Sequence, residues 1–142
     1  GFMYLFAIID VHTRYVVGWS LSNTMTSQWC IEAIAEAMII HGIPEVINSD
    51  QGSQFTCSDY VDFLQDKKVQ ISMNSKGRAI DNIYIERFWR SIKYEHVYLF
   101  AYENGNDLWH GIHSYIDFYN QKRAHQSINY LTPKALYFKN IA

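Results

Sequence analysis

Two carboxylates stand out by type and setting. Asp50 lies just past a short apolar stretch, Glu45 to Asn48, and Gly52 follows it. In open α/β sheets the carboxyl ends of strands face the crevice where ligands bind. Glu86 falls early in a long helical pattern, with Arg90 and Lys93 at i+4 and i+7. One helix face therefore carries a carboxylate backed by cations, a surface suited to a divalent metal and the phosphates it acts on. Each residue alone also has an ordinary explanation. Asp-x-Gly is common turn chemistry, and a glutamate near a helix N-terminus is favoured by the dipole and can pair with an arginine one turn on. Residues 51 to 85, thirty-five in all, separate the two.

Other candidates carry less. His110 and His113 are one helical turn apart, but no third ligand is apparent in the sequence. Cys30 and Cys57 lack metal-ligand spacing, and two thiols do not make a secreted disulfide framework, so both are expected to pack. Lys76-Gly77-Arg78 fits either a solvated loop or a loop that contacts a ligand, and Asn74 to Arg78 is expected to be mobile. Asp10, in Asp10-Val11-His12-Thr13, fits a turn. The tyrosines and tryptophans are too dispersed for a base-stacking platform and are expected mostly in the core.

The elements that must position these residues follow from periodicity. Phe2 to Ile9 and Tyr15 to Leu21 read as two strands of an antiparallel hairpin joined by the polar turn. Trp29, Cys30, Ala33, Ile34, Ala37 and Met38 recur at helical steps, with Thr26 or Ser27 as cap and Gly42 and Pro44 as stop. A strand over Glu45 to Asn48, a short helix around Val61, Phe63 and Leu64, and a strand over Val69 to Ile71 come next. A long helix is expected from Asp81 or Asn82 to about Leu99, and a last one through Leu108, Ile112, Tyr115, Ile116 and Tyr119. The tail, residues 121–142, is expected to be extended. The order is that of a mixed α/β domain, read here as one domain over residues 1–142.

Composition agrees with a folded, non-membrane chain. With 142 residues and 49% hydrophobic content it can bury a core, and no apolar run approaches the roughly 18 residues of a membrane span. A cytoplasmic location is expected. The net charge of −2 argues against holding nucleic acid by overall charge. The basic residues Lys76, Arg78, Arg87, Arg90, Lys93, Lys122 and Arg123 nevertheless all lie in the second half.

Three segments together carry a family resemblance that spans essentially the whole chain. Asn48-Ser49-Asp50-Gln51-Gly52-Ser53-Gln54-Phe55 resembles the second-aspartate motif of retroviral-type integrases and bacterial insertion-sequence transposases. Asp81-Asn82-Ile83-Tyr84-Ile85-Glu86-Arg87-Phe88-Trp89, followed by Ile92-Lys93, resembles their glutamate helix, and the separation of thirty-five residues is that family's spacing. Tyr119 to Ser127 with Thr132-Pro133 resembles the tail motif of the insertion-sequence branch.

The resemblance implies an RNase H-like catalytic core with a mixed five-stranded sheet flanked by helices, and a DDE enzyme that cuts and joins DNA at mobile-element ends. It implies Mg²⁺ or Mn²⁺ as cofactor, two ions held by Asp50, Glu86 and a further aspartate, and no small-molecule cofactor. The implied partners are DNA and further copies of the chain. Gln54, Lys76, Arg78, Arg90, Lys93, Lys122, Arg123 and His125 are the expected DNA contacts. The family's first aspartate precedes the strand that starts near Phe2, so this chain is expected to lack that strand and to be inactive alone. The alternative is a non-catalytic DNA-binding or assembly module from a decayed or domesticated element.

Overall fold

The structure, a computed structural model, describes residues 3–73, 83–97 and 100–139. The chain divides into two compact units, one of Gly1–Ile8 and Gly18–Ile83, the other of Ile9–Val17 and Tyr84–Ala142. Among the described residues no helix is long and apolar enough to cross a membrane.

Among its described residues the first unit holds four strands and three helices. β1 (Tyr4–Ile9) pairs with β2 (Val16–Ser22), whose first two residues, like the turn before it, belong to the second unit. So short a connection leaves only the antiparallel arrangement, since a parallel pair needs a crossover. α1 (Ser27–His41) starts where the Thr26 hydroxyl accepts from Trp29 N–H at 3.2 Å, and it ends at Gly42, whose φ of 89° suits glycine. β3 (Val46–Ser49) leads through α2 (Ser53–Thr56) and α3 (Ser58–Asp66) to β4 (Gln70–Met73). β4 pairs with β3 in parallel, Ile47 opposite Ile71 and Ser49 opposite Met73. These are the four strands read in the sequence, and they pair as two two-stranded sheets.

The core of this unit is Ile34, Met38, Tyr60, Leu64 and Val69, flanked by Phe6, Ile8, Ile47, Phe55 and Ile71. Gly18 lets α1 approach β2: a Cβ there would lie 3.1 Å from that of Ala37 and 3.3 Å from Ile8 Cδ1. Cys30 is buried and Cys57 half-buried, both as free thiols, in keeping with packing roles. Burial pushes the Cys30 thiol up to about 11, which keeps it protonated.

The second unit is helical. α4 (Ile83–Ile92) passes into a π-turn over Lys93–Val97, so the regular helix ends well short of the expected boundary near Leu99. The wider turn presents two consecutive residues to α5 (Gly105–Gln121): Glu95 accepts from the Tyr115 hydroxyl at 2.8 Å, and His96 packs against the same ring. Phe88, Ile92, Ile112, Tyr115, Ile116 and Tyr119 form its core, with Phe88 edge-on to Tyr119 at 5.0 Å.

The expected extended tail is corrected. A 3₁₀ turn (Gln126–Ile128) and a helix, α6 (Pro133–Lys139), lie within it. Thr132 and Pro133 explain the helix: the threonine hydroxyl caps Ala135 N–H at 3.2 Å, and proline suits the first helical position. Tyr137 of α6 stacks on Tyr15 at 4.6 Å, which supplies the burial a seven-residue helix cannot find alone.

Candidate functional site

Asp50 stands where β3 ends. Ser49 before it is buried, whereas Asp50 is exposed. Its Oδ1 accepts the Gly52 N–H at 2.8 Å, so the turn reading and the presented carboxylate are one arrangement. Gly52 leaves room for the two side chains beside it: a Cβ there would lie 3.0 Å from Asp50 Oδ1 and 2.9 Å from the Gln54 amide, so both would have to shift. Gln54 opens α2 and is half-buried beside this turn.

Glu86 is exposed in the first turn of α4, with core residue Phe88 two positions on fixing which face points inward. Arg90 and Lys93 are exposed as well. Asp50 belongs to the first unit and Glu86 to the second. Among the described residues no three of His, Cys, Asp or Glu gather as a metal cluster. Asp10 holds the β1–β2 turn, accepting from Thr13 N–H at 3.0 Å and from its hydroxyl at 2.6 Å. His113 faces Asp117 at 3.6 Å on the exposed side of α5.

The expected DNA contacts divide. Lys76 and Arg78, with the whole segment Asn74 to Arg78, lie outside the described residues. Lys122 is exposed at the end of α5. Arg123 is instead committed to Glu95, which accepts from its Nη2 at 2.6 Å and its Nε at 2.9 Å. That bond holds the Glu95 carboxyl below its ordinary value. His125 is half-buried, its Nδ1 lying 3.3 Å from Arg123 Nη1. Burial first, then the nearby Arg123 and Arg14, pull it down to about 4, so it is neutral at physiological pH.

Sequence reasoning missed this network and the cavity beside it. Arg14, Arg87, Arg90, Arg123, Glu95 and His125 line a cavity of about 450 Å³, with Tyr84, Tyr94 and Tyr119 among its walls. Arg14 lies over the Tyr84 ring at 3.7 Å. The usable signal was Glu95, an acidic residue on the inward side of an apolar helix, which calls for a cationic partner. Asn120 was also missed: a polar residue four after Ile116 on the buried stripe of α5 must find hydrogen bonds.

Comparison with known families decides what this arrangement belongs to. The integrase core domain family matches residues 1–79, and a second integrase core domain family matches residues 67–133. The chain belongs to the integrase core family. Among curated relatives, the transposase for insertion sequence element IS904 of Lactococcus lactis is 35% identical over 137 residues, covering 94% of this chain and 54% of the relative. Transposase InsF for insertion sequence IS3A of Escherichia coli is 31% identical over 145 positions, covering all of this chain and 50% of the relative. The chain thus spans about half the length of the curated relatives it matches.

Solved structures agree on the fold of this integrase core. The catalytic core domain of BIV integrase superposes with a TM-score of 0.76 at 16% identity, over 97% of this chain and 87% of that one. The HTLV-2 integrase catalytic core domain in complex with magnesium gives 0.71 at 21% identity, over 91% and 80%. The α/β, RNase H-like class expected from the motifs is the class observed.

Proposed function

We propose that the protein is a DDE-type transposase that cuts and joins phosphodiesters at mobile-element ends, with Asp50 and Glu86 as metal-ligating catalytic residues. The observation that carries this reading is the pair of exposed carboxylates, one at the end of β3 and one in the first turn of α4. Both fall in a chain matched almost throughout by integrase core families. Both are hard oxygen donors, and the Gly52 N–H orients the Asp50 carboxylate, so the residues fit Mg²⁺ or Mn²⁺ better than a softer metal. A pair of such ions would supply Lewis acidity to the attacking and leaving oxygens.

The chain's own residues would hold and orient. Arg90, one turn from Glu86 on α4, and Lys93, at the start of the π-turn that follows, would neutralise phosphates of the bound strand, and Gln54 and Lys122 would add contacts. Lys76 and Arg78 complete the proposed DNA-facing set; Arg123 and His125, engaged with Glu95 and with each other, support that set. The HTLV-2 core is described in dimeric and trimeric forms, which supports an oligomer that brings two DNA ends together.

The test uses the full-length natural protein on oligonucleotide ends with Mg²⁺ or Mn²⁺. Asp50→Asn and Glu86→Gln should each lower strand transfer by about a hundredfold or more, the upper range for damage to the support of a metal ligand. Their melting temperatures should hold, because both side chains are exposed. Near-normal joining by either variant would overturn the assignment.

A further inference from the structure

The cavity of the second unit has more positive charge than its fold requires. Four arginines, Arg14, Arg87, Arg90 and Arg123, line it against one carboxylate, Glu95. Glu95 is bound at close range by Arg123, and His125 is neutral because burial and the adjacent arginines suppress its protonation. Among the described lining residues the arginines exceed the carboxylates by three. Like charges in a concave, partly desolvated site repel one another and weaken the compact state unless an anion offsets them.

The cavity is also arranged in advance. Arg14 sits at a φ of 67°, a region ordinary residues avoid, and its guanidinium carbon lies 3.7 Å from the centre of the Tyr84 ring while the side chain donates to the Val11 carbonyl. Arg123 is gripped through two of its nitrogens by Glu95. Arg87 is exposed, and no carboxylate among the described residues pairs with it. His125 Nε2 is buried without a hydrogen-bond partner among the described residues. Two held guanidiniums and the exposed Arg87 make a polar receptor, and arginine's planar fork matches phosphate oxygens.

We propose that this cavity grips a backbone phosphate of DNA, with Arg87 and Arg14 as its principal contacts and Glu95 as the residue that positions Arg123. The proposal rests on the transposase reading above. Arg87 is the residue after Glu86 and so points about 100° away round α4. The phosphate it holds is therefore a neighbour of the reacting one, and Arg87 acts by fixing the register of the strand.

The test is equilibrium binding of a labelled end duplex by the full-length protein, without divalent metal, across a salt series. Arg87→Gln should weaken binding about tenfold at low salt and make the plot of log affinity against log salt shallower by about one unit. Ser127→Glu, which sets a carboxylate at the cavity wall, should act in the same direction and serves if Arg87→Gln fails to fold. Lys67→Gln removes an exposed cation from the first unit and should change neither quantity. A wild-type protein that binds no DNA would sink the transposase reading itself. Normal wild-type binding with unchanged affinity and slope in Arg87→Gln or Ser127→Glu would sink only this inference. A competition arm with excess inorganic phosphate at constant ionic strength separates the two sources of phosphate. If phosphate competes while both variants bind DNA normally, the cavity serves a free anion and the proposal fails.

Discussion

His125 shows how far one residue's chemistry depends on its neighbours. An imidazole in a chain segment open to water titrates near 6.5, but here burial, Arg123 and Arg14 pull it down to about 4, with Glu95 opposing and Tyr119 adjacent. Between those two pH values the unfolded chain binds more protons than the folded one. The contribution of a neutral His125 to stability is therefore complete above about pH 6.5 and is lost as the pH falls toward 4. His96, lowered by burial, carries the same sign. Glu95, held low by Arg123, adds a loss once its own carboxyl protonates below the ordinary glutamate range. Urea midpoints should fall steadily from pH 7 to pH 4, and the His125→Gln protein should show a flatter fall. An imidazole that titrates near 6.5 in an NMR pH series would contradict the assignment. The exposed Asp50 and Glu86 stand at the other extreme, because their chemistry lies in what they present to a ligand.

At the scale of the element, α5 carries a glycine whose reason lies outside the helix. Helix interiors disfavour glycine by about 1 kcal/mol relative to alanine, yet Gly111 occupies the middle of α5. A Cβ there would stand 2.0 Å from the Tyr102 hydroxyl oxygen and 2.5 Å from its Cζ. The same hydroxyl meets His96 Nε2, so the ring cannot withdraw without losing that partner. Gly111→Ala should therefore destabilise the protein by about 1–2 kcal/mol in spite of the gain in propensity. In a Tyr102→Ala background the same change should stabilise it by about 1 kcal/mol. Chemical denaturation of the four proteins tests this reversal of sign, and a Gly111→Ala effect of one sign in both backgrounds would refute the contact. α6 makes the complementary point: its Thr132-Pro133 start was legible in local sequence, although the expectation was an extended tail.

At the scale of the whole molecule, Asn120 ties together backbone 104 positions apart. Its Oδ1 accepts Val16 N–H at 2.8 Å and its Nδ2 donates to the Val16 carbonyl at 3.1 Å, with the residue 7% exposed. The carboxamide thus stands in for a neighbouring strand and joins the start of β2 to the end of α5, three residues before Arg123. Asn120→Leu would leave two buried backbone groups unpaired, at about 1–3 kcal/mol each. A loss of about 2–5 kcal/mol is expected, together with weaker DNA binding as Arg123 loses its support. An Asn120→Leu protein as stable as wild type in urea would show that water or a local shift satisfies Val16.

The sequence by itself determined the periodic and chemical features. Apolar repeats marked the strands and the long helices, and the Asp50 and Glu86 motifs at their separation marked the family and the candidate catalytic pair. These are local or one-dimensional properties: a helix stripe needs only its 3.6-residue period, and a motif only its order. Tertiary structure alone decided the rest. The bond between Glu95 and Arg123 links the π-turn after α4 to the chain just past α5, the neutrality of His125 depends on burial and on an arginine from a distant turn, and Asn120 pairs with a backbone it could not reach locally. Local spacing does not encode such pairings, because charge–charge energies and desolvation depend on distances that only packing sets.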